Sequence, residues 1–164
     1  MNFKIFYLVI FMLSQIFSQE PIVTAKKYIE HRRSHGQLVD FKAPEVVLAC
    51  YQRSTLEYLL QKYPDFQPTE ITHLYVSPNG RVGILGDWGV GAPGLAIKME
   101  ELVVLGVKRF VAIGTAGGLK NVHSIADFVV CSKALAEDGV AHLYLPKEES
   151  IAYADPQMLI CWNR

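Results

Sequence analysis

Two short glycine-containing segments hold the residues of this sequence that are best suited to bind a ligand. The first is GVGAPG, residues 89–94, and the second is GTAGG, residues 114–118. Glycine lets backbone N–H groups approach a ligand closely, and Thr115 adds a hydroxyl that donates or accepts a hydrogen bond. Such loops suit a dinucleotide, a sugar or a small oxyanion, although either loop alone is equally well explained as a tight exit from a strand.

The first loop has the GxGxxG spacing of dinucleotide-binding proteins at Gly89, Gly91 and Gly94. In those proteins an acidic residue at the end of the next strand binds the ribose hydroxyls. Here the next predicted strand, KRFVAI, leads into Gly114 and Thr115, where no carboxylate is available. The sequence therefore argues against NAD or FAD and leaves a sugar or a small oxyanion as the ligand.

Strands that would bring both loops to one edge of a sheet are indicated by apolar runs. EVVLAC (45–50), KRFVAI (108–113) and IADFVVC (125–131) do not alternate in polarity, which is typical of buried strands. ITHLYV and RVGILG flank the turn sequence SPNG and predict a hairpin. Loops that follow parallel strands meet at the same edge of the sheet.

Helices are predicted between these strands from apolar residues at helical spacing. Pro64 ends the helix that begins near Gln52, Pro93 suits the first turn of the next helix, and Gly106 suits its C-terminal cap. Alternating strands and helices predict a three-layer α/β/α sandwich around a mixed, largely parallel sheet.

Five segments, taken in order, resemble the nucleoside phosphorylase family, which includes purine nucleoside and uridine phosphorylases and related nucleosidases. They are GVGAP, AIKMEEL, GVKRFVAIGTAGGL, ADFVV and EDGVAHLYLP, and the likeness runs from about Val46 to Pro146. The resemblance implies an α/β/α fold and assembly as a homo-oligomer. It also implies cleavage of the N-glycosidic bond of a nucleoside by phosphate or by water.

The resemblance assigns binding roles to residues of both glycine loops. Gly89 and Gly91 would lie beside phosphate and ribose, and Thr115 would contact phosphate and sugar. Ala116 and Gly117 would line the ribose and the base. The implied partners are a nucleoside and phosphate, with phosphate as a co-substrate and no further cofactor or metal.

Several positions depart from the family pattern. In the family, the first strand leads into a phosphate loop commonly written GDPxR. Here it leads into Tyr51-Gln52-Arg53, which lacks the glycine and the aspartate of that loop. Arg53 remains as the residue that would reach phosphate. Ala112 stands where phosphorylases usually carry an arginine two residues before the second loop, and Ala126 stands where the family usually has glycine. The motif GTAGGL is close to the corresponding motif of the nucleosidases, which use water.

In the family, the carboxylate that holds the ribose hydroxyls and the residues that assist the leaving base lie C-terminal to the matching segment. We therefore expect a domain over residues 21–164 that is incomplete at its C-terminus, with no assignable catalytic residue and little or no turnover. Three functions stay open: phosphorolysis of a purine or pyrimidine nucleoside, which we favour narrowly, hydrolysis by water, and nucleoside binding without catalysis.

Composition argues against a nucleic-acid partner, because 16 basic and 16 acidic residues give a formal charge of zero. The three cysteines are far apart and lack metal-ligand spacing, so we expect neither a zinc site nor a disulfide framework. Cys50 and Cys131 each close an apolar run and are predicted to be buried thiols.

The N-terminus has the pattern of a secretory signal peptide. A short positive start, Met1 to Lys4, precedes the uncharged run IFYLVIFML, which is too short to span a bilayer comfortably. We predict a signal peptide over residues 1–18 with cleavage after Ser18, no stable membrane anchor, and a secreted or extracytoplasmic protein. A buried helix or strand in a cytoplasmic protein is the alternative.

Overall fold

The computed structural model describes residues 23–38, 41–118, 128–146 and 149–162, so the predicted signal peptide lies outside the described residues. The helices are α1 (Ala25–Ser34), α2 (Arg53–Lys62), α3 (Gly91–Leu105), α4 (Ala141–Tyr144) and α5 (Pro156–Trp162). The strands are β1 (Val46–Cys50), β2 (Gln67–Pro68), β3 (Leu74–Val76), β4 (Val82–Gly86), β5 (Arg109–Ile113), β6 (Lys133–Leu135) and β7 (Ile151–Tyr153). Among the described residues, no helix combines the length and apolarity needed to cross a bilayer.

The central sheet has five strands in the order β2-β3-β4-β1-β5. Strand β1 lies in the middle and runs parallel to β4 on one side and to β5 on the other. The predicted hairpin is confirmed as the antiparallel pair β3 and β4. Strands β6 and β7 form a separate antiparallel pair. The sheet is therefore mixed, with its parallel part at β4, β1 and β5.

Helices cover both faces of this sheet, which confirms the three-layer α/β/α arrangement. On one face, Val47 and Leu85 pack with Ile29 of α1 and Leu102 of α3. On the other face, Cys50 and Ile84 pack with Leu56 of α2 and its neighbours. Successive strand residues point to opposite faces, so the unalternating apolar run in β1 supplies side chains to both cores.

The predicted helix ends are found where the sequence placed them. Helix α2 ends at Lys62, just before Pro64, and Pro93 lies in the first turn of α3. Gly106 caps α3 with φ of +111°, in the left-handed region that glycine enters without strain. Helix α1 starts after Thr24, whose side chain accepts a hydrogen bond from the N–H of Lys27.

Two expectations about buried apolar residues are wrong. Residues 128–131 of the run IADFVVC take no regular secondary structure, and Phe128, Val129 and Val130 are exposed, while the first part of that run lies outside the described residues. Cys50 is buried as predicted, but Cys131 is exposed. A short apolar run indicates burial only when a neighbouring strand or helix covers it, and the sequence pattern alone does not show that cover.

Candidate functional site

Both glycine loops lie at the carboxyl edge of the sheet, as predicted. The last residue of β1, Cys50, is in register with Gly86 at the end of β4 and with Ile113 at the end of β5. Neighbouring strands are about 4.8 Å apart, so the two loops leave the sheet about 10 Å from each other, on either side of β1. In open α/β sheets, ligands bind at this edge, in the crevice beyond the strand ends.

The first glycine loop adopts backbone conformations that require glycine. Gly89 has φ of +100° and Gly91 has φ of +76°. Helix α3 begins at Gly91, and Val90 at its N-cap provides no side-chain acceptor for the first amides. The first N–H groups of a helix have no partner within the helix and carry a partial positive charge. They are therefore oriented to interact with an anion.

Gly94 lets the start of α3 approach the loop that precedes it. A Cβ atom added at Gly94 would lie 2.8 Å from the carbonyl oxygen of Trp88 and 3.3 Å from its ring. Only a residue without a side chain fits this contact. The loop is therefore held against α3 by close packing.

The second glycine loop is tied to the end of β1. Gln52 donates a hydrogen bond from Nε2 to Oγ1 of Thr115 over 2.8 Å. Thr115, Ala116 and Gly117 are all exposed, and a Cβ added at Gly117 would meet no atom within 4 Å. The residues that the family resemblance assigned to the sugar and base thus lie at an open part of the edge.

Tyr51 occupies the space between the two loops. Its backbone N–H donates to the carbonyl of Ile113 over 3.1 Å, and its ring meets the Trp88 ring edge-on at a centroid distance of 5.5 Å. A Cβ added at Gly114 would lie 3.2 Å from Cδ2 of the Tyr51 ring. Tyr51 thus lies against Trp88, which precedes the first loop, and against Gly114, which begins the second.

Arg53, the predicted phosphate ligand, is engaged in an ion pair. Its Nε donates to Glu57 Oε1 over 2.9 Å, and its side chain is 74% exposed. The hydrogen bond and charge of Glu57, and then the charge of Asp87, raise the pKa of Arg53 above its ordinary value. The guanidinium is therefore charged and close to the first loop, although its present hydrogen-bond partner is on α2.

A second polar pair lies where the β3–β4 hairpin ends. His73 and Asp87 have φ of +62° and +51°, which is uncommon for residues other than glycine. His73 Nδ1 lies 4.0 Å from Asp87 Oδ2, and the His73 carbonyl accepts a hydrogen bond from the N–H of Gly86. Asp87 is the first residue after β4, and this conformation directs its carboxylate toward His73.

Sequence reasoning missed these neighbours of the glycine loops. The strand order, which cannot be read from the sequence, brings four residues to this edge: Gln52, His73, Asp87 and Trp88. Gln52, Asp87 and Trp88 each lie within two residues of a predicted strand end, whereas His73 lies inside the predicted strand ITHLYV and gave no such signal. Among the described residues, no three His, Cys, Asp or Glu side chains are grouped to hold a metal ion.

The strands that precede the two glycine loops are not adjacent in the sheet. The connection from β4 through α3 to β5 passes over β1, because β1 lies between β4 and β5. The end of β5 is thus two strand positions from the end of β4.

Two alanines mark departures from the family pattern. Ala112, in register with Ala49, supplies no charge at the position where phosphorylases usually carry an arginine. Ala126 lies outside the described residues.

Comparison with known proteins extends over most of this region. The family model of the phosphorylase superfamily matches residues 51–161. The uridine phosphorylase of Haemophilus influenzae is 34% identical over 70 residues, covering 43% of this chain and 28% of that protein. The uridine phosphorylase of Escherichia coli K12 is 30% identical over 79 residues, covering 48% of this chain and 31% of that protein.

A third relative has a different substrate in its name. The guanosine phosphorylase of Halorubrum lacusprofundi is 38% identical over 65 residues, covering 40% of this chain and 25% of that protein. The chain thus spans between a quarter and a third of the length of these three relatives. No solved structure matches the chain.

Proposed function

This chain belongs to the phosphorylase superfamily, and we propose from that membership that it takes part in the phosphate-dependent cleavage of the N-glycosidic bond of a nucleoside. Its relatives are named for uridine and for guanosine, so the substrate class that we propose is a purine or pyrimidine nucleoside. Phosphate is the co-substrate, and the reaction needs no other cofactor.

One observation carries the proposal. Two glycine loops, within the range that the family model matches, follow the parallel strands β4 and β5 at the same edge of the sheet, on either side of β1. Gln52 and Thr115 are hydrogen-bonded across the β1–β5 side of that edge. The amides that follow Gly89 and Gly91 suit the negative charge of phosphate, and the Thr115 hydroxyl suits either phosphate or sugar. Ala116 and Gly117 leave room for the ribose and the base.

In the proposed reaction, a phosphate oxygen attacks C1′ of the ribose while the bond from C1′ to the base nitrogen breaks. The electron pair of that bond leaves with the base, and the sugar passes through an oxocarbenium-like transition state. Backbone amides and Thr115 would position the phosphate and stabilise its charge. Arg53 would add a positive charge, and its ion pair with Glu57 is weak enough to exchange. Ion pairs as exposed as this one are screened by solvent and contribute little to stability.

Product analysis tests this proposal. The purified chain is incubated with uridine, inosine or guanosine, with and without phosphate, and the sugar product is identified. We expect sugar 1-phosphate in the phosphate-containing samples alone, at a rate well below the ~10 s⁻¹ of a typical enzyme. Equal release of free ribose in both samples would contradict phosphorolysis.

Hydrolysis by water is the second candidate, and Ala112 is the observation that favours it. A small uncharged residue at that position provides no guanidinium for phosphate. The same product analysis separates the two reactions. Tight nucleoside binding with no product under either condition would instead support the third possibility, a binding protein without catalysis.

We also propose that the protein is exported and forms a homo-oligomer. The charged start and the apolar run at the N-terminus support export. N-terminal sequencing of the protein from its source should begin near Gln19. Recovery of chains that begin at Met1 from the cytosol would contradict export. Sedimentation of the purified protein as a single-chain species would contradict the homo-oligomer.

A further inference from the structure

The ring of Tyr51 is an exposed aromatic surface at the centre of the candidate site. It follows β1, the middle strand of the parallel part of the sheet, and remains 58% exposed. Tyr58 and Tyr144 are exposed to a similar degree, so it is the place of Tyr51 between the ends of β4 and β5 that distinguishes it. A ring that remains exposed at the edge where both glycine loops leave the sheet is placed to contact a ligand bound at that edge.

The position of this ring is fixed from two sides. The Trp88 ring meets it at an interplanar angle of 78°, which is one of the favoured arrangements of aromatic pairs. The absence of a side chain at Gly114 leaves the room that Cδ2 of Tyr51 fills. The backbone N–H of Tyr51 is held by Ile113. A ligand thus meets a surface that is already in place.

Polar groups border this apolar surface. Next to Tyr51 in the chain, the Gln52 amide donates to Thr115, whose hydroxyl keeps its own proton for a further partner. A flat ring beside hydrogen-bonding groups matches a ligand that has a ring and polar substituents. A bare oxyanion would gain nothing from the ring.

We infer that Tyr51 is a specificity-determining residue, whose ring stacks against the sugar or base ring of the bound nucleoside. This inference rests on the proposed function, because it presupposes that the crevice binds a nucleoside. It adds that affinity for the nucleoside depends on the Tyr51 ring, whereas affinity for phosphate depends on the amides near Gly89 and Gly91.

Substitutions of Tyr51 test the inference by separating the two ligands. Dissociation constants for uridine, for inosine and for inorganic phosphate are measured by calorimetry on the intact chain. Base stacking on an aromatic side chain is strong enough that Tyr51→Leu should raise the nucleoside Kd about tenfold. Tyr51→Phe keeps the ring and should leave that Kd within about twofold. Neither change should move the phosphate Kd by more than about twofold.

Tyr58 provides a matched control, because it is 57% exposed and lies on α2. Tyr58→Leu should leave both dissociation constants unchanged. Thermal unfolding of each variant shows whether the fold is retained, and Tyr51→Met serves as a second variant without a ring if Tyr51→Leu does not fold.

The outcomes separate failure of the inference from failure of the proposed function. Unchanged nucleoside affinity in Tyr51→Leu, or an equal loss of phosphate affinity, would overturn the stacking role while leaving the site intact. Absence of binding of any of the three ligands to the unaltered chain would overturn the proposed function and the inference together.

Discussion

Gln52 and Thr115 are hydrogen-bonded over 2.8 Å, although 63 positions separate them in the chain. The bond joins the second residue after β1 to the second glycine loop, and β1 is paired with β5 along its whole length. It therefore connects the ends of two neighbouring strands at the edge where we place the ligand.

Replacing Thr115 by valine removes the hydroxyl while keeping the shape of the side chain. A neutral hydrogen bond to uridine is worth about 0.5–1.5 kcal/mol and one to the charged phosphate about 1.5–3 kcal/mol. We therefore expect Thr115→Val to raise the Kd for uridine about threefold to tenfold and the Kd for phosphate about tenfold or more. Thr55→Val is the control, because the Thr55 hydroxyl donates to Oε1 of the same Gln52 side chain, over 3.4 Å. Equal affinities in Thr115→Val and the unaltered chain would contradict a ligand-binding role for this hydroxyl.

Arg53 should contribute to phosphate binding after it leaves Glu57. Arg53→Ala is expected to weaken phosphate binding by about one to two powers of ten, because it removes a hydrogen bond between charged groups. Glu57→Gln removes the competing carboxylate and should strengthen phosphate binding. Calorimetric titration with phosphate measures both changes.

Arg81 gives the control for this experiment. It is also exposed and paired with a carboxylate, that of Glu45, but it lies at the opposite edge of the sheet, just before β4. Arg81→Ala should leave the phosphate Kd unchanged. A similar loss of affinity in Arg53→Ala and Arg81→Ala would indicate a general effect of net charge and would contradict a specific role for Arg53.

Gly94→Ala should destabilise the protein although the residue lies in a helix. Helix propensity alone favours alanine by about 1 kcal/mol. Against this gain, the new Cβ would lie 2.8 Å from the Trp88 carbonyl, and overpacking of this kind costs about 1–3 kcal/mol. We therefore expect a net loss of about 1 kcal/mol in the free energy of unfolding, measured with urea.

Gly139→Ala is the comparison for that measurement, because a Cβ at Gly139 would meet no atom within 4 Å. It should change the free energy of unfolding by less than about 0.5 kcal/mol. An increase in stability of Gly94→Ala would show that the contact between the first loop and α3 is looser than described here.

The two described cysteines should differ in reactivity. Cys131 is exposed, whereas Cys50 is buried and its burial raises the pKa of the thiol, so that less thiolate is available. In a Cys161→Ser background, a thiol reagent at neutral pH should modify Cys131 rapidly and Cys50 only when the protein unfolds. Rapid modification of both residues in the folded protein would contradict the packing of Cys50 against α2.

Local patterns in the sequence were sufficient to predict β1, β3, β4 and β5 with the helices α2 and α3, but not the short strand β2. The hairpin at SPNG, the start of α3 near Pro93 and its end at Gly106 depend on turn and cap residues that act over a few positions. The position of both glycine loops at one edge of the sheet was also predicted, because parallel strands have their carboxyl ends at the same edge. These predictions needed no knowledge of the strand order.

Contacts between distant segments were not predictable in this way. The Tyr51–Trp88 ring contact and the approach of His73 to Asp87 depend on which strands become neighbours. The exposure of Phe128 and Cys131 depends on what covers an apolar run, and hydrophobicity alone does not specify the covering element.

The most direct test of the central claim is to locate the ligands by NMR on the isotopically labelled chain. Uridine and phosphate are titrated separately, and the shifts of backbone amide signals are followed. We predict that phosphate shifts the amides near Gly89 and Gly91, and that uridine shifts those of Thr115, Ala116 and Gly117. Shifts confined to residues away from the carboxyl ends of β1, β4 and β5, or no shifts at millimolar ligand, would contradict the assignment of this edge as the nucleoside and phosphate site.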